Sequence, residues 1–106
     1  MSLQLEEKLA VITGSTKGIG KAIAIKFLEA GAVVVINGRN QELVDTVVKE
    51  LNTGKNTGKV FGVAADVSTA SGTDLLLSKT KELTGDKPID ILVNNAAIFY
   101  AKPFVE

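Results

Sequence analysis

Four short runs of apolar residues are spaced along the chain, and each run predicts a β-strand. The runs cover residues 9–13, 33–37, 60–65 and 89–94. The first two are apolar at consecutive positions instead of alternating, which is typical of strands covered on both faces, as in parallel sheets. The fourth run has one polar break, at Asp90.

Apolar residues at helical spacing predict three helices between these strands. The first spans residues 19–30 and is followed by Gly31, which suits a left-handed C-terminal stop. The second begins after Asn40, a suitable N-cap, and the third covers residues 74–83. The first helix carries its apolar residues on one face, the second repeats them at helical spacing, and the third contains three leucines. These residues are, in chain order, Ile19, Ala22, Ile23, Phe27 and Leu28, then Val44, Val47, Val48 and Leu51, then Leu75, Leu76 and Leu83.

Strands and helices therefore alternate along the chain. The predicted strands begin roughly 25 to 30 residues apart, about the length of a strand–helix–strand unit. Right-handed crossovers of such units build a doubly wound parallel sheet, so the sequence predicts an α/β fold. The polar stretch 52–59 predicts a surface loop rather than a linker between domains.

Composition limits the function classes that remain open. The 106 residues contain twelve Lys+Arg and twelve Asp+Glu, a balance that gives no electrostatic case for a nucleic-acid or anionic-membrane partner. Without cysteine or histidine, these residues offer no thiolate or HExxH metal site and no histidine-based triad. Acids near the start, and the lack of a run of about 20 apolar residues, favour a cytoplasmic protein without a membrane span.

The first predicted strand leads directly into a glycine-rich turn, TGSTKGIG at residues 13–20. Gly14 can make the sharp turn, Gly18 leaves room for a pyrophosphate, and Gly20 lets the helix pack closely. Phosphates would then sit on backbone N–H groups at a helix N-terminus, where the dipole favours negative charge. The alternative is that these glycines serve only a tight strand-to-helix turn.

A nucleoside-triphosphatase loop does not fit this turn. Such a loop needs G-x-x-x-x-G-K-[ST], whereas five residues separate Gly14 from Gly20, and Lys21 is followed by Ala22, which cannot bind Mg²⁺. The spacing, T-G-x-x-x-G-x-G, also differs from the G-x-G-x-x-G dinucleotide fingerprint.

Three motifs in order resemble the short-chain dehydrogenase/reductase family: the glycine-rich turn, Asp66-Val67 after the third strand, and Asn94-Asn95-Ala96-Ala97 after the fourth. The resemblance spans residues 1–106 but corresponds only to the coenzyme-binding front part of a longer family domain. It implies one Rossmann-like domain with strand order 3-2-1-4, truncated before its catalytic C-terminal part. The family commonly has Gly where this chain has Ala97.

The resemblance also implies roles for individual residues. The turn would meet the pyrophosphate and the adjoining ribose through Gly14, Ser15, Thr16, Lys17, Gly18, Ile19 and Gly20. Asp66 would accept from the adenine amino group, and the Val67 amide would face the ring. Asn94 and Ala96 would line the ribose on the nicotinamide side, while Asn95 would tie the central strands together. The alternatives are that Asp66 is a turn or cap carboxylate and that Asn94 and Asn95 are strand-end turn residues.

The end of the second strand favours NADP over NAD. An NAD site places a carboxylate there for the 2′-hydroxyl, but this chain has Asn37-Gly38-Arg39-Asn40, with no acid. The Arg39 guanidinium can bind a 2′-phosphate bidentately, and Lys17 could reach the same phosphate. The alternative is that Lys17 and Arg39 are solvated surface charges.

The sequence lacks the group that would protonate a carbonyl substrate. In the family this group is a Tyr with a Lys four residues later, but Tyr100, the single tyrosine, has Lys102 two residues on. We therefore assign no catalytic residue and expect the chain alone to be inactive. The sequence predicts the NADP-binding portion of an oxidoreductase acting on a small alcohol or carbonyl substrate, a homo-oligomer when complete. A nonenzymatic NADP-binding or regulatory module, or a fragment that binds no ligand, remains the alternative.

Overall fold

In the computed structural model, which describes residues 4–95, strands and helices alternate along the chain. The strands are β1 (Leu9–Ile12), β2 (Val33–Gly38), β3 (Val60–Ala64) and β4 (Ile91–Val93). The helices are α1 (Gly18–Glu29), α2 (Gln41–Leu51) and α3 (Ala70–Leu83), and a short 3-10 helix covers Gly54–Asn56. All strand pairs are parallel and the order is β3-β2-β1-β4, so the predicted 3-2-1-4 sheet is confirmed.

Helices cover both faces of this sheet. On one face, α1 and α2 pack in a cluster that includes Ile12, Ala24, Leu28, Val34, Ile36 and Val47. On the other, α3 packs in a cluster of Leu9, Val11, Val35, Val63, Ala65 and Leu76. Val11 and Ile12, neighbours in β1, thus belong to opposite clusters, and all four residues of the strand are fully buried. This explains why the central strands are apolar at consecutive positions.

The face that α1 turns to the sheet differs from the prediction. The buried residues are Gly20, Ala24 and Leu28, whereas the predicted Ile19 and Ala22 are exposed. Gly20 and Ala24 are small and lie four residues apart on the same side of the helix, so they allow α1 to pack closely against the strands. Ile23 and Phe27 flank that line and pack partly against the cluster.

Helix α3 begins at Ala70, four residues before the predicted start at Asp74. Thr69 is its N-cap, and Thr69 Oγ1 accepts from the Gly72 amide at 2.9 Å. Gly72 lies inside the helix, at a position where a larger residue would not fit: a Cβ there would overlap the Asp66 carbonyl oxygen. The line of buried residues is Gly72, Leu76 and Thr80, whereas Leu75 and Leu83, two of the leucines of the predicted helix, are exposed.

The fourth strand is shorter than predicted. Asp90 lies just before it and closes the pairing with β1: its amide donates to the Leu9 carbonyl at 2.9 Å, and its Oδ2 accepts from the Leu9 amide at 2.8 Å. Within residues 4–95, no strand pairs with the other edge of β4. Leu92, in the middle of this strand, is 58% exposed.

The predicted helix ends are confirmed where they depended on local chemistry. The Asn40 side chain accepts from the Leu43 amide at 3.0 Å and caps α2, and Gly31 has φ +97° after α1. Stretch 52–59 is a connection that contains the short 3-10 helix. Among the helices of residues 4–95, none is both long enough and apolar enough to cross a membrane.

Candidate functional site

The predicted site residues lie at one edge of the sheet, where the carboxyl ends of the strands meet. The glycine-rich turn follows β1, Arg39 follows β2, Asp66 comes shortly after β3, and Asn94 follows β4. In open parallel sheets, this edge is where ligands bind. The fold therefore brings the separate sequence motifs together.

The glycine-rich turn uses left-handed backbone at two residues. Gly14 has φ +59° directly after β1, and Gly18 has φ +62° at the first residue of α1. A Cβ at Gly18 would meet no atom within 4 Å, so the backbone there is open to an approaching ligand. No acid stands in the first turn of α1. This geometry leaves helix N-terminal amides available to an anion.

Gly20 and Asn95 hold the other side of this turn. A Cβ at Gly20 would overlap the Gly14 carbonyl oxygen and come within 2.9 Å of Asn95 Nδ2. The same Nδ2 donates to the Gly14 carbonyl at 3.0 Å. Gly20 thus allows the close packing expected of it, and Asn95 joins the end of β4 to the turn after β1.

Ser15 is fully buried and is bonded within the protein. Its hydroxyl donates to the Ile12 carbonyl at 2.7 Å and accepts from the Asn37 amide at 2.9 Å. Its own amide donates to the Asn37 carbonyl at 2.8 Å. Ser15 therefore stabilises the conformation of the glycine-rich turn through hydrogen bonds to buried backbone groups.

Sequence reasoning missed the role of the Asn37 side chain. This side chain is buried, and its Oδ1 accepts from the Gly14 amide at 3.2 Å. Its Nδ2 donates to the carbonyls of Val63 at 3.1 Å and Ala65 at 3.2 Å. The available signal was a polar residue that ends the apolar run of β2 just before Gly38.

Asp66 carries a carboxylate that stays ionised. The Ser68 hydroxyl and amide donate to its Oδ1 at 2.6 and 3.0 Å and hold the pKa of Asp66 below its usual value. Desolvation partly opposes this shift, and the charge of Arg39 makes the smallest contribution to lowering the pKa. Within the described part of the chain, Oδ2 accepts no hydrogen bond. Oδ1 thus makes the hydrogen bonds expected of a turn carboxylate, which was the alternative role predicted for Asp66. Oδ2 is accessible to a hydrogen-bond donor of a ligand.

Residues 8–106 match the family model described as short chain dehydrogenase. The chain belongs to the short-chain dehydrogenase/reductase family. The glycine turn, the aspartate after β3 and the asparagines after β4 are thus placed in a family member, at the strand ends where the sequence motifs predicted them.

Named relatives span the family's oxidoreductases. The uncharacterized oxidoreductase YvrD of Bacillus subtilis is 50% identical over 106 residues, which are 100% of this chain and 38% of that protein. An NADP-dependent (R)-specific alcohol dehydrogenase of Lentilactobacillus kefiri is 39% identical over 102 residues, 96% of this chain and 38% of that protein. The L-sorbose reductase of Gluconobacter frateurii, solved with NADPH and L-sorbose, is 38% identical with a TM-score of 0.79, covering 90% of this chain and 35% of that one. The chain thus spans less than two-fifths of these relatives, their N-terminal part.

Further predicted residues of this short-chain dehydrogenase/reductase chain lie at the rim of the site. Lys17 is exposed, Ile19 is 72% exposed beside the turn, and Thr16 is half-buried against Gly38. Val67 packs partly against the cluster under α3.

The ribose on the nicotinamide side was predicted to contact Asn94 and Ala96, which follow β4 in the sequence. Asn94 is exposed, and its Oδ1 accepts from Thr13 Oγ1 at 3.4 Å. Ala96, Ala97 and Tyr100 lie outside the described residues.

Lys21, the lysine of the rejected triphosphatase loop, pairs with Glu50 of α2 at 2.9 Å.

The arrangement is suited to binding rather than to proton transfer. It offers backbone amides, the exposed cations Lys17 and Arg39, and the acceptor Asp66. Because the pKa of Asp66 is lowered, this carboxylate accepts hydrogen bonds and does not donate a proton near neutral pH. The described residues therefore bring hydrogen-bond donors, positive charge and an ionised acceptor to one edge of the sheet.

Proposed function

We propose that residues 1–106 form the NADP-binding part of an oxidoreductase that transfers a hydride between NADP(H) and a small alcohol or carbonyl substrate. The observation that carries the proposal is the open left-handed Gly18 at the start of α1, at the same sheet edge as Arg39 and Asp66. This combination matches the parts of a dinucleotide: a diphosphate, a 2′-phosphate and an adenine.

The diphosphate is assigned to the glycine-rich turn. Amides at the start of α1 and the open backbone at Gly18 supply donors without a competing acid in the first turn. Ile19, exposed beside them, would cover one side of the ligand. Ser15 would support this contact indirectly, since its hydroxyl and amide are bonded within the protein.

The adenine and the second ribose are assigned to the ends of β3 and β4. The open Oδ2 of Asp66 would accept from the adenine amino group, with Val67 beside the ring. Asn94 and Ala96 would line the ribose on the nicotinamide side. These roles follow the family resemblance, and the strand-end placement of Asp66 and Asn94 supports them.

The 2′-phosphate is assigned to Arg39, assisted by Lys17. Both cations are exposed, and the end of β2 carries no acid that would hold the 2′-hydroxyl of NAD. The relative from Lentilactobacillus kefiri is NADP-dependent and the sorbose reductase was solved with NADPH, which supports the same preference here.

The chemistry belongs to the complete protein. The 106-residue sequence contains no Tyr followed four residues later by Lys, so the proton donor would come from further residues of a longer chain. This absence also favours a second candidate function, a nonenzymatic NADP-binding module. The full reading frame discriminates the two: a downstream Ser and Tyr-x-x-x-Lys supports the enzyme, and a stop codon after Glu106 supports the module.

We also propose that the complete protein acts in the cytoplasm as a homo-oligomer. The lack of cysteine in these 106 residues is compatible with a reducing compartment. Size-exclusion chromatography of the complete protein, and fractionation of its source cells, test the two statements.

Calorimetry with NADP⁺ and NAD⁺ at low salt tests the coenzyme proposal. A charge-assisted contact at Arg39 makes NADP⁺ bind about ten- to a hundredfold more tightly, a margin that shrinks with added salt. Arg39→Ala removes the margin, whereas Lys55→Ala, an exposed cation in the connection before β3, leaves it unchanged. Equal affinities in the unmutated chain would return Lys17 and Arg39 to solvated surface charges.

A further inference from the structure

Asn37 is a buried polar residue that joins three segments of the molecule. Its Oδ1 accepts from the amide of Gly14, the first residue of the glycine-rich turn after β1. Its Nδ2 donates to Val63 in β3 and to Ala65, the residue before Asp66. Its own backbone lies in β2, two residues before Arg39. One side chain therefore contacts both neighbouring strand ends.

The backbone groups around the Asn37 side chain require a carboxamide as their hydrogen-bond partner. The Gly14 N–H requires an acceptor, while the Val63 and Ala65 carbonyls require donors. A carboxylate offers no donor, and a hydroxyl has a single proton, whereas a carboxamide offers one acceptor and two donors. Buried backbone groups that lose such partners are strongly disfavoured, so the neighbouring segments would shift if Asn37 were replaced.

The neighbouring segments each carry part of the proposed coenzyme site. Gly14 begins the turn assigned to the diphosphate. Ala65, whose amide also donates to the Gly38 carbonyl at 3.0 Å, precedes the aspartate assigned to adenine. The distance between the diphosphate and adenine subsites is thus set across β2 by hydrogen bonds of Asn37.

We propose that Asn37 is a positioning residue for the coenzyme, fixing the glycine-rich turn and the Asp66 turn relative to each other. The inference rests on the proposed function. Asn37 acts on features that NADP and NAD share, the diphosphate and the adenine. Its loss therefore weakens binding of both dinucleotides by the same factor, unlike the loss of Arg39, which changes their ratio.

The test uses Asn37→Ser and Asn37→Thr in the 106-residue chain, with Thr as the variant that better suits a strand. The matched control is Val60→Ala, a buried truncation in β3, at the opposite end of the pairing between β2 and β3. Calorimetry gives the affinities for NADP⁺ and NAD⁺ well below the melting temperature of every variant. Amide hydrogen exchange without ligand reports on the amides of Gly14 and Ala65.

We expect the Asn37 variants to bind both dinucleotides about tenfold more weakly or worse, with the ratio between them unchanged. Exchange at Gly14 and Ala65 rises in these variants and not in Val60→Ala. Asn37 variants that bind as tightly as the control, or that lose NADP⁺ alone, overturn the positioning role. An unmutated chain that binds neither dinucleotide instead overturns the proposed function, and this inference with it.

Discussion

The Thr16 methyl group lies where a side chain on Gly38 would begin. A Cβ added at Gly38 would come within 2.8 Å of Thr16 Cγ2, closer than real Cβ atoms approach other atoms. The glycine-rich turn therefore restricts which residue can end β2. Thr16, which no charge or glycine pattern singled out for this purpose, links the two motifs that are proposed to set coenzyme preference.

This contact affects how the proposed preference for NADP could be converted into a preference for NAD. Gly38→Asp with Arg39→Ala supplies a carboxylate for the 2′-hydroxyl and repels the 2′-phosphate, so we expect it to reverse the order of affinities. Adding Thr16→Ser removes only the obstructing methyl group and should relieve the strain of the new aspartate. Calorimetry should show NAD⁺ binding more tightly than NADP⁺ in both variants, with the higher melting temperature in the triple one. A double variant that is as stable as the triple one would contradict the steric argument.

Alanine at Gly20 should mainly lower the stability of the fold, whereas alanine at Gly18 should mainly lower the affinity for the coenzyme. Gly20→Ala places a Cβ against the Gly14 carbonyl and Asn95, so it should cost about 1–3 kcal/mol in the free energy of unfolding. Gly18→Ala meets no atom and bears mainly the strain of left-handed backbone, about 1–2 kcal/mol, but its methyl enters the proposed diphosphate space. Denaturant unfolding and NADP⁺ calorimetry should assign the larger stability loss to Gly20→Ala and the larger loss of affinity per unit of stability to Gly18→Ala. The reverse pattern would argue against ligand binding over Gly18.

The 106-residue chain should show no carbonyl-dependent oxidation of NADPH. A general acid is typically worth about 10²–10⁴ in rate, and the chain lacks the family's donor arrangement. Absorbance assays with a panel of ketones and aldehydes check this, and Tyr100→Phe should change nothing. Turnover by the purified chain that Tyr100→Phe abolishes would give Tyr100 the catalytic role denied to it above.

The edge of β4 that no strand within residues 4–95 covers should make the 106-residue chain associate with itself. Unpaired edge strands with apolar side chains recruit other chains, and Leu92 lies exposed in the middle of this strand. Leu92→Lys should reduce the association measured by light scattering at high concentration. Leu43→Lys, at a leucine on α2 that is 49% exposed, is the control and should leave association unchanged. A monodisperse monomer of the unmutated chain would contradict the prediction.

The lowered pKa of Asp66 gives stability a defined pH dependence. Because the folded carboxylate holds its charge to lower pH than the unfolded one, it stabilises the fold at neutral pH, and this contribution is lost as the pH falls through the folded pKa. Ser68→Ala removes the strongest cause of the shift, so the variant should melt lower at neutral pH, with the difference vanishing in acid. Ser78→Ala removes a hydroxyl that donates to the Leu75 carbonyl at 3.3 Å, and this variant should show a difference that does not change with pH. Melting temperatures from pH 7 to about 2 distinguish these outcomes, and parallel curves for the two variants would contradict the role of Ser68.

The sequence predicted what depends on neighbouring residues. Consecutive apolar runs identified all four strands, and Gly31 and Asn40 marked helix ends because each acts within one turn. Burial on α1 was misjudged, since it depends on how closely Gly20 lets the helix approach other backbone. The start of α3 was placed too late because Gly72 lies inside the helix.

The Asn37 network was missed for a related reason. Its side chain bonds residues more than twenty positions away, in turns whose relative placement exists only once the sheet has formed. An asparagine at a strand end looks the same in sequence whether it faces solvent or is buried. Charges and glycines could be assigned to the site because their chemistry is local, whereas the residue that connects them could not.

The bonds between Leu9 and Asp90 also have a meaning for how the sheet assembles. They join residues 81 apart in sequence, whereas β1 pairs with β2, and β2 with β3, across roughly 25 residues. Loop-closure entropy makes the longer connection cost about 1 kcal/mol more before other contacts offset it. The half of the site that holds Arg39 and Asp66 is thus built from near neighbours in the chain, and the half at Asn94 depends on the most distant pairing. Since β4 pairs through only three residues, and with β1 alone within residues 4–95, we expect its end to be the first part of the sheet to be lost when the fold is weakened.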